Sequence, residues 1–199
     1  MSPAHSCSPL QLGYRTSDEA LCGAAHALKC AQKDAATTSS ALGFRLAGVR
    51  AWEAQCTSDC SDGQPEPAWS LWQPSRAECR ALDGASLRHA LRRFFAAGDS
   101  GSPCVRTSAL LAARLCAAEK QLAACSAALG DCIGLRLLSA SLLIVFDSES
   151  NDACGVRLVL IDFAHAFQLE PTSGSDGNTC GGIVALSETL AGLRMELEG

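Results

Sequence analysis

"VRLVLIDFAHAF", Val156–Phe167, is an apolar run that stops at a carboxylate, Asp162. Leu158, Val159, Leu160 and Ile161 predict a strand seeking a dry environment. A second apolar run, "GLRLLSASLLIVFD", spans Gly134–Asp147, and the "SESNDAC" between the two has turn chemistry. Two such runs joined by a short polar loop predict an antiparallel hairpin. A carboxylate at a strand end is held in one place. It suits a hard cation such as Mg2+, which takes one or two protein carboxylates together with phosphate oxygens and water. The plainer alternative is an Asp that caps the next turn.

Working outward, "SDEALCGAAHALKCAQKDAAT" (17–37) predicts an Ala-rich helix capped by Ser17. "GFRLAGVRAW" (43–52) alternates like a half-buried strand, with Phe44, Leu46 and Val49 set against Arg45 and Arg50. Residues 56–78 carry three prolines and predict a loop insertion. There Trp69 and Trp72 are expected to plug the core surface. "GASLRHALRRFFAAG" (84–98) predicts an amphipathic helix burying Leu87, Leu91 and Phe94. The clearest helix is 107–130; a polar Gly/Ser loop then precedes a last helix from Gly182. Helices around a small antiparallel sheet make the fold class α+β, here over a single domain, 1–199.

The 199 residues are 48% hydrophobic and carry a net charge of −5. That balance argues against bulk attraction to nucleic acid or to an anionic membrane surface. No window approaches the ~20 apolar residues of a membrane span, and "MSPAHSCSPL" lacks the pattern of a signal peptide. The twelve cysteines include no CxxC pair. They read mostly as small buried hydrophobes in a reducing compartment, rather than as zinc ligands or a disulfide scaffold.

Several segments in order resemble the inositol polyphosphate kinase family. These are "LGYRT" (12–16), "TTSSALGFRLAGVRAW" (37–52), "LRHALRRFF" (87–95), Ser141-Leu142-Leu143, Ile161-Asp162-Phe163-Ala164-His165, Asp176-Gly177-Asn178 and Gly182-Ile183. The resemblance implies a C-terminal lobe of a kinase-like two-lobed fold, with ATP and Mg2+ as cofactors and an inositol phosphate as substrate. It implies that Asp162 is the catalytic, metal-binding carboxylate. Ser141 would lie beside the metal and the phosphates. Candidate substrate-binding cations are Arg15, Lys29, Lys33 and Arg45, because Arg and Lys match phosphate oxygens. His165 is as well explained by packing as by chemistry. Arg92 and Arg93 read as solvated charges. A cytoplasmic or nuclear location would follow.

The sequence also departs from the family. Its Pro-x-x-x-Asp-x-Lys-x-Gly motif, aligned on Gly13, falls on His5, Pro9 and Gln11 in place of Pro, Asp and Lys. Most of the family's N-terminal lobe is expected to be missing, as in a truncated chain. Three readings follow: a phosphotransferase, a non-catalytic family member that binds inositol phosphate or a protein partner, and a helical interaction module built on 107–129. An apolar stripe exposed on that helix would favour the third.

Overall fold

The structure, a computed structural model, describes residues 5–55, 68–98, 106–148 and 155–198. It opens on a strand that sequence patterning does not reveal, β1 (His5–Leu12), because Pro9 and the polar residues around it mask the alternation. The stretch read as one helix is two: α1 (Glu19–Cys22) and α2 (Ala24–Ala35). Gly23 breaks them with φ +81°. Asp18, not Ser17, caps α1 by accepting from the Ala20 N–H. A short α3 (Ser39–Leu42) leads into β2 (Phe44–Leu46).

The predicted 43–52 strand likewise divides, into β2 and β3 (Ala51–Gln55). The expected 56–78 loop is only partly a loop. Residues 56–67 lie outside the described residues, and then come β4 (Ala68–Trp72) and α4 (Arg76–Arg80). Strands β3 and β4 form an antiparallel ribbon. Trp72 packs against the core as expected, with the Arg93 guanidinium 4.3 Å above its ring. Helix α5 (Gly84–Phe95), capped by Asp83, buries Leu87, Leu91 and Phe94 as foreseen. Helix α6 (Arg106–Gly130) follows. Leu111, Leu115, Ala118 and Leu122 of α6 are all buried, which counts against the interaction-module reading.

The opening stretch then appears in full. Strands β5 (Leu135–Leu137), β6 (Ser141–Asp147), β7 (Arg157–Ile161) and β8 (Ala166–Gln168) make one interrupted hairpin. β6 pairs antiparallel with β7, Ser141 opposite Ile161, and β5 pairs with β8, Leu137 opposite Ala166. Between the two paired parts the chain kinks. Ser139 (φ +60°) and Asp162 (φ +66°), one on each side of the break, take left-handed conformations that non-glycine residues seldom adopt. The last helix, α7 (Gly177–Glu198), starts five residues earlier than predicted, so "GNTCGG" is helix rather than loop. Gly182 is required there by close approach, since a Cβ on it would lie 2.3 Å from the Gly43 carbonyl oxygen.

The main sheet runs β2-β1-β6-β7, all neighbours antiparallel. β1 is thus central, yet contains Pro9. The register explains why this is tolerated. Leu10 pairs with Leu46 but Cys7 bridges to Arg50, a slip of one residue that makes a bulge at Ala47–Val49. Pro9 faces that bulge, accepts from the Ala47 N–H at 2.9 Å, and lies beside Gly48, so its missing N–H sits where the ladder is already interrupted. One sheet face carries Leu10, Leu12, Leu142, Ile144 and Phe146 into the core against α5, α6 and α7. Each such side chain, fully buried, contributes about 1.5–3 kcal/mol. Phe94 and Phe146 meet edge-on, ring centroids 4.9 Å apart. The cysteines depart from expectation: of those described, only Cys79 is buried, most are half-buried and Cys132 is exposed. No helix among the described residues is long and apolar enough to cross a membrane.

Candidate functional site

The second face of the sheet builds the site. Arg45 of β2 is opposite Gln11 of β1, Gln11 is opposite Ser141 of β6, and Ser141 is opposite Ile161 of β7. Cross-strand partners share a face, so these four side chains form one row across the sheet. Asp162 follows directly at the kink. The row floors a cleft of about 370 Å³. Lys33 from α2 and Arg76 and Arg80 from α4 complete it, with Pro9, Leu46 and Ala47 on the wall.

Asp162 is exposed rather than buried, which corrects the dry setting that its apolar run suggested. The left-handed kink turns it out of the strand at the mouth of the cleft, while Ser141 beside it is nearly buried. The apolar run itself is only half-covered, with Val159 and Phe163 among the exposed large hydrophobics.

Arg45 is buried, and its charge is matched by Asp34, whose Oδ1 lies 3.2 Å from Nη1. Asp34 also accepts from the Thr16 N–H at 2.7 Å and the Thr16 hydroxyl at 2.8 Å. The other Arg45 nitrogen donates to the Gln11 side-chain oxygen, and the Gln11 amide in turn donates to the Ser139 carbonyl. Gln11 therefore links the buried ion pair to the kinked hairpin. Burial lowers the Arg45 pKa, and Asp34 partly restores it. Lys33 is open to solvent along much of its length. Its pKa is nevertheless lowered, first by desolvation and then by repulsion from Arg45. The cleft is short of negative charge and crowded with positive charge.

The structure brings Ser141, Asp162, Lys33 and Arg45 to one cleft and leaves two candidates outside it. Lys29 is exposed on α2 and does not line the cleft. Arg15 lines a separate hollow, its backbone tied to Asn178 by bonds of 3.0 and 2.9 Å. Arg93 is paired with Glu53, as a surface charge would be. His165 is exposed, its ring 6.2 Å from that of His26 between centroids, and its carbonyl holds the Leu138 N–H.

Arg76 and Arg80 are the residues that sequence reading missed. The signal was present: Ser75 and Glu78 form a capping box, which marks a helix start. A helix from there sets two arginines four apart on one side. The Asp176-Gly177-Asn178 turn has a structural task. Asp176 accepts from the Leu137 N–H at 2.7 Å and from the Thr179 hydroxyl at 2.8 Å, fastening the start of α7 to β5.

Residues 10–191 match the family model described as inositol polyphosphate kinase. The chain belongs to the inositol polyphosphate kinase family. The match begins at Leu10, so Gln11 falls inside it and Pro9 just outside. The inositol polyphosphate multikinase IPK2 of Oryza sativa subsp. indica is 30% identical over 181 residues, covering 85% of this chain and 55% of that protein. The multikinase alpha of Arabidopsis thaliana is 25% identical over 164 residues, covering 78% of this chain and 52% of its own length. The chain thus spans about half the length of the curated relatives it matches. A solved inositol phosphate multikinase superimposes with TM-score 0.68 at 22% identity, covering 96% of this chain and 80% of that one. The Ipk2 of S. cerevisiae, solved with ADP and Mn2+, superimposes with TM-score 0.71 at 17% identity, covering 95% and 78%. The α+β family fold is therefore confirmed, with small antiparallel sheets flanked by helices.

Proposed function

We propose that this family member uses the cleft to hold a polyphosphorylated inositol, so that the γ-phosphoryl group of ATP passes to a hydroxyl or phosphate oxygen of that inositol and ADP leaves. The observation that carries the reading is the convergence of Ser141 and Asp162 with Lys33, Arg45, Arg76 and Arg80 on one hollow. Among the described residues no group of three or more His, Cys, Asp or Glu is arranged to hold a metal. A single exposed carboxylate nevertheless fits Mg2+, which takes most of its oxygens from phosphate and water. Asp162 would hold the ion, and Ser141 would lend a hydroxyl nearby. Bound Mg2+ supplies neutralisation of charge on the nucleotide phosphates.

The chain's own residues do the positioning. Arg76 and Arg80 are free to turn toward a ligand, being on an exposed short helix. They suit bidentate grip on phosphate oxygens. Arg45 is already engaged by Asp34 and Gln11, so it is a fixed charge under the site rather than a reaching arm. Lys33 supplies a mobile point charge, and a bound polyanion would raise its lowered pKa.

One observation favours a second reading, binding without transfer. Pro9 and Gln11 line the cleft at the positions where the family motif has Asp and Lys. Pro9 offers no acid, and Gln11 offers an amide already bonded to Arg45. One experiment separates the two. The full chain is incubated with ATP, Mg2+ and inositol tris- to hexakisphosphates, and products are resolved by anion-exchange chromatography. The transferase reading expects a more phosphorylated product, reduced roughly 10²–10³-fold in Asp162→Asn, the scale of losing one key electrostatic group. Calorimetric binding of inositol hexakisphosphate with no turnover at all would favour the second.

A further inference from the structure

Asp34, which anchors Arg45 under the first cleft, also forms part of the wall of a second and larger hollow of about 710 Å³. That volume is typical of small-molecule sites. Its floor is the apolar face of α2, where Ala24, Ala27, Leu28 and Ala31 recur at helical spacing, and Leu28 is 63% exposed. Tyr14 also lines it.

Two further observations say what would fit. Ser17 lines the hollow, is 9% exposed, and its hydroxyl has no hydrogen-bond partner in the protein. A shielded hydroxyl without a partner is a standing cost that a ligand's polar group would remove. The charge is also one-sided. Asp18 and Glu19 face the hollow against Arg15 alone, since Asp34 is already matched by Arg45. An anionic ligand is disfavoured here, the reverse of the first cleft.

We propose that this hollow is a binding site for an organic cation with an apolar body, of the arylalkylamine class. The apolar body lies along the alanine face of α2. The ammonium is held by Asp18 and Glu19, and the Ser17 hydroxyl turns to bond it. The site is distinct from the inositol phosphate cleft and does not depend on that reading.

The test is an NMR chemical-shift titration of the full chain with phenylbutylamine and, separately, with phenylbutyrate, which has a similar apolar body and the opposite charge. The amine should saturate, with affinity at least about tenfold above that of the carboxylate. Ser17→Ala should weaken it about tenfold, the worth of one hydrogen bond to a charged group, while leaving the thermal midpoint unchanged or raised. Glu19→Gln should shrink the preference for the amine. Ala31→Phe fills the floor from an exposed helix position and should abolish binding. Equal affinity for both probes, binding unaffected by Ala31→Phe, displacement of the amine by inositol hexakisphosphate, or no binding at all would each overturn the proposal. Because the readout is occupancy rather than turnover, an inactive kinase leaves it intact.

Discussion

The two faces of the four-stranded sheet are made by the same strands, residue by residue, and do opposite things. On β6, Leu142 and Ile144 point into a closed apolar core, while Ser141 faces the charged cleft. On β1, Leu10 and Leu12 are buried, while Pro9 and Gln11 line the cleft. A strand period of two forces this division. The core face holds its place through apolar area, which tolerates no loss of volume. The cleft face holds its place through one buried ion pair and a few hydrogen bonds. The largest energetic weakness of the cleft should therefore lie beneath it, not in it.

Asp34→Ala tests that most severely. Both side chains of the Asp34–Arg45 pair are 5% exposed. Removing the carboxylate leaves a buried guanidinium without its counter-charge and the Thr16 N–H without its acceptor. The expected loss is about 3–5 kcal/mol, read by urea denaturation. A loss under about 1 kcal/mol would show that the cleft floor is not held by this pair. On the same strand, Leu142→Ala should cost about 2–5 kcal/mol and Ser141→Ala less than about 1 kcal/mol. Equal losses would erase the contrast between the faces.

The same division explains what was legible in the sequence. The hairpin of β6 and β7, α5 and α6 were readable because their apolar periods are unbroken. Asp162 stood out because it ends such a run, and Ser141 through the family resemblance; both line the cleft. β1 was not, since Pro9 in a central strand is admissible only opposite the bulge at Ala47–Val49, and a bulge in another strand leaves no mark beside the proline. Arg76 was hidden in the stretch read as loop, 56–78, and Arg80 lay just beyond it, where no helix was expected. Lys29 and Arg15 lie outside the cleft for different reasons: helical spacing sets a face of α2 but not which neighbour that face meets, and Arg15 sits in the bend between β1 and α1, where no period places it. Lys29 and Lys33 lie one turn apart on α2, yet only Lys33 lines the cleft.

That separation of binding from stability predicts a third outcome. Arg80→Ala removes an exposed side chain that ends at the cleft. Affinity for inositol hexakisphosphate should fall about tenfold, the scale of one charge-assisted contact. The thermal midpoint should move by no more than about 2 °C. A large fall in the midpoint would reassign Arg80 to the fold.

The subtlest effect concerns Lys33. Its lowered pKa means that the free cleft disfavours the ammonium, through desolvation first and Arg45 second. A bound polyanion reverses that preference and raises the pKa. The lysine contribution to affinity is therefore full below the free-state pKa and is lost as pH rises through the bound-state pKa. Between the two, binding takes up a proton. Calorimetry at alkaline pH in two buffers of different ionisation enthalpy reads that uptake directly. Lys33→Arg keeps its charge throughout, so it should bind with less proton uptake and hold its affinity to higher pH. The phosphates of the ligand titrate alike in both proteins, so only the difference between the two profiles reports on Lys33. Identical profiles would mean that the ammonium stays outside the reach of the polyanion. The working charge of the cleft would then rest on α4 and Arg45 alone.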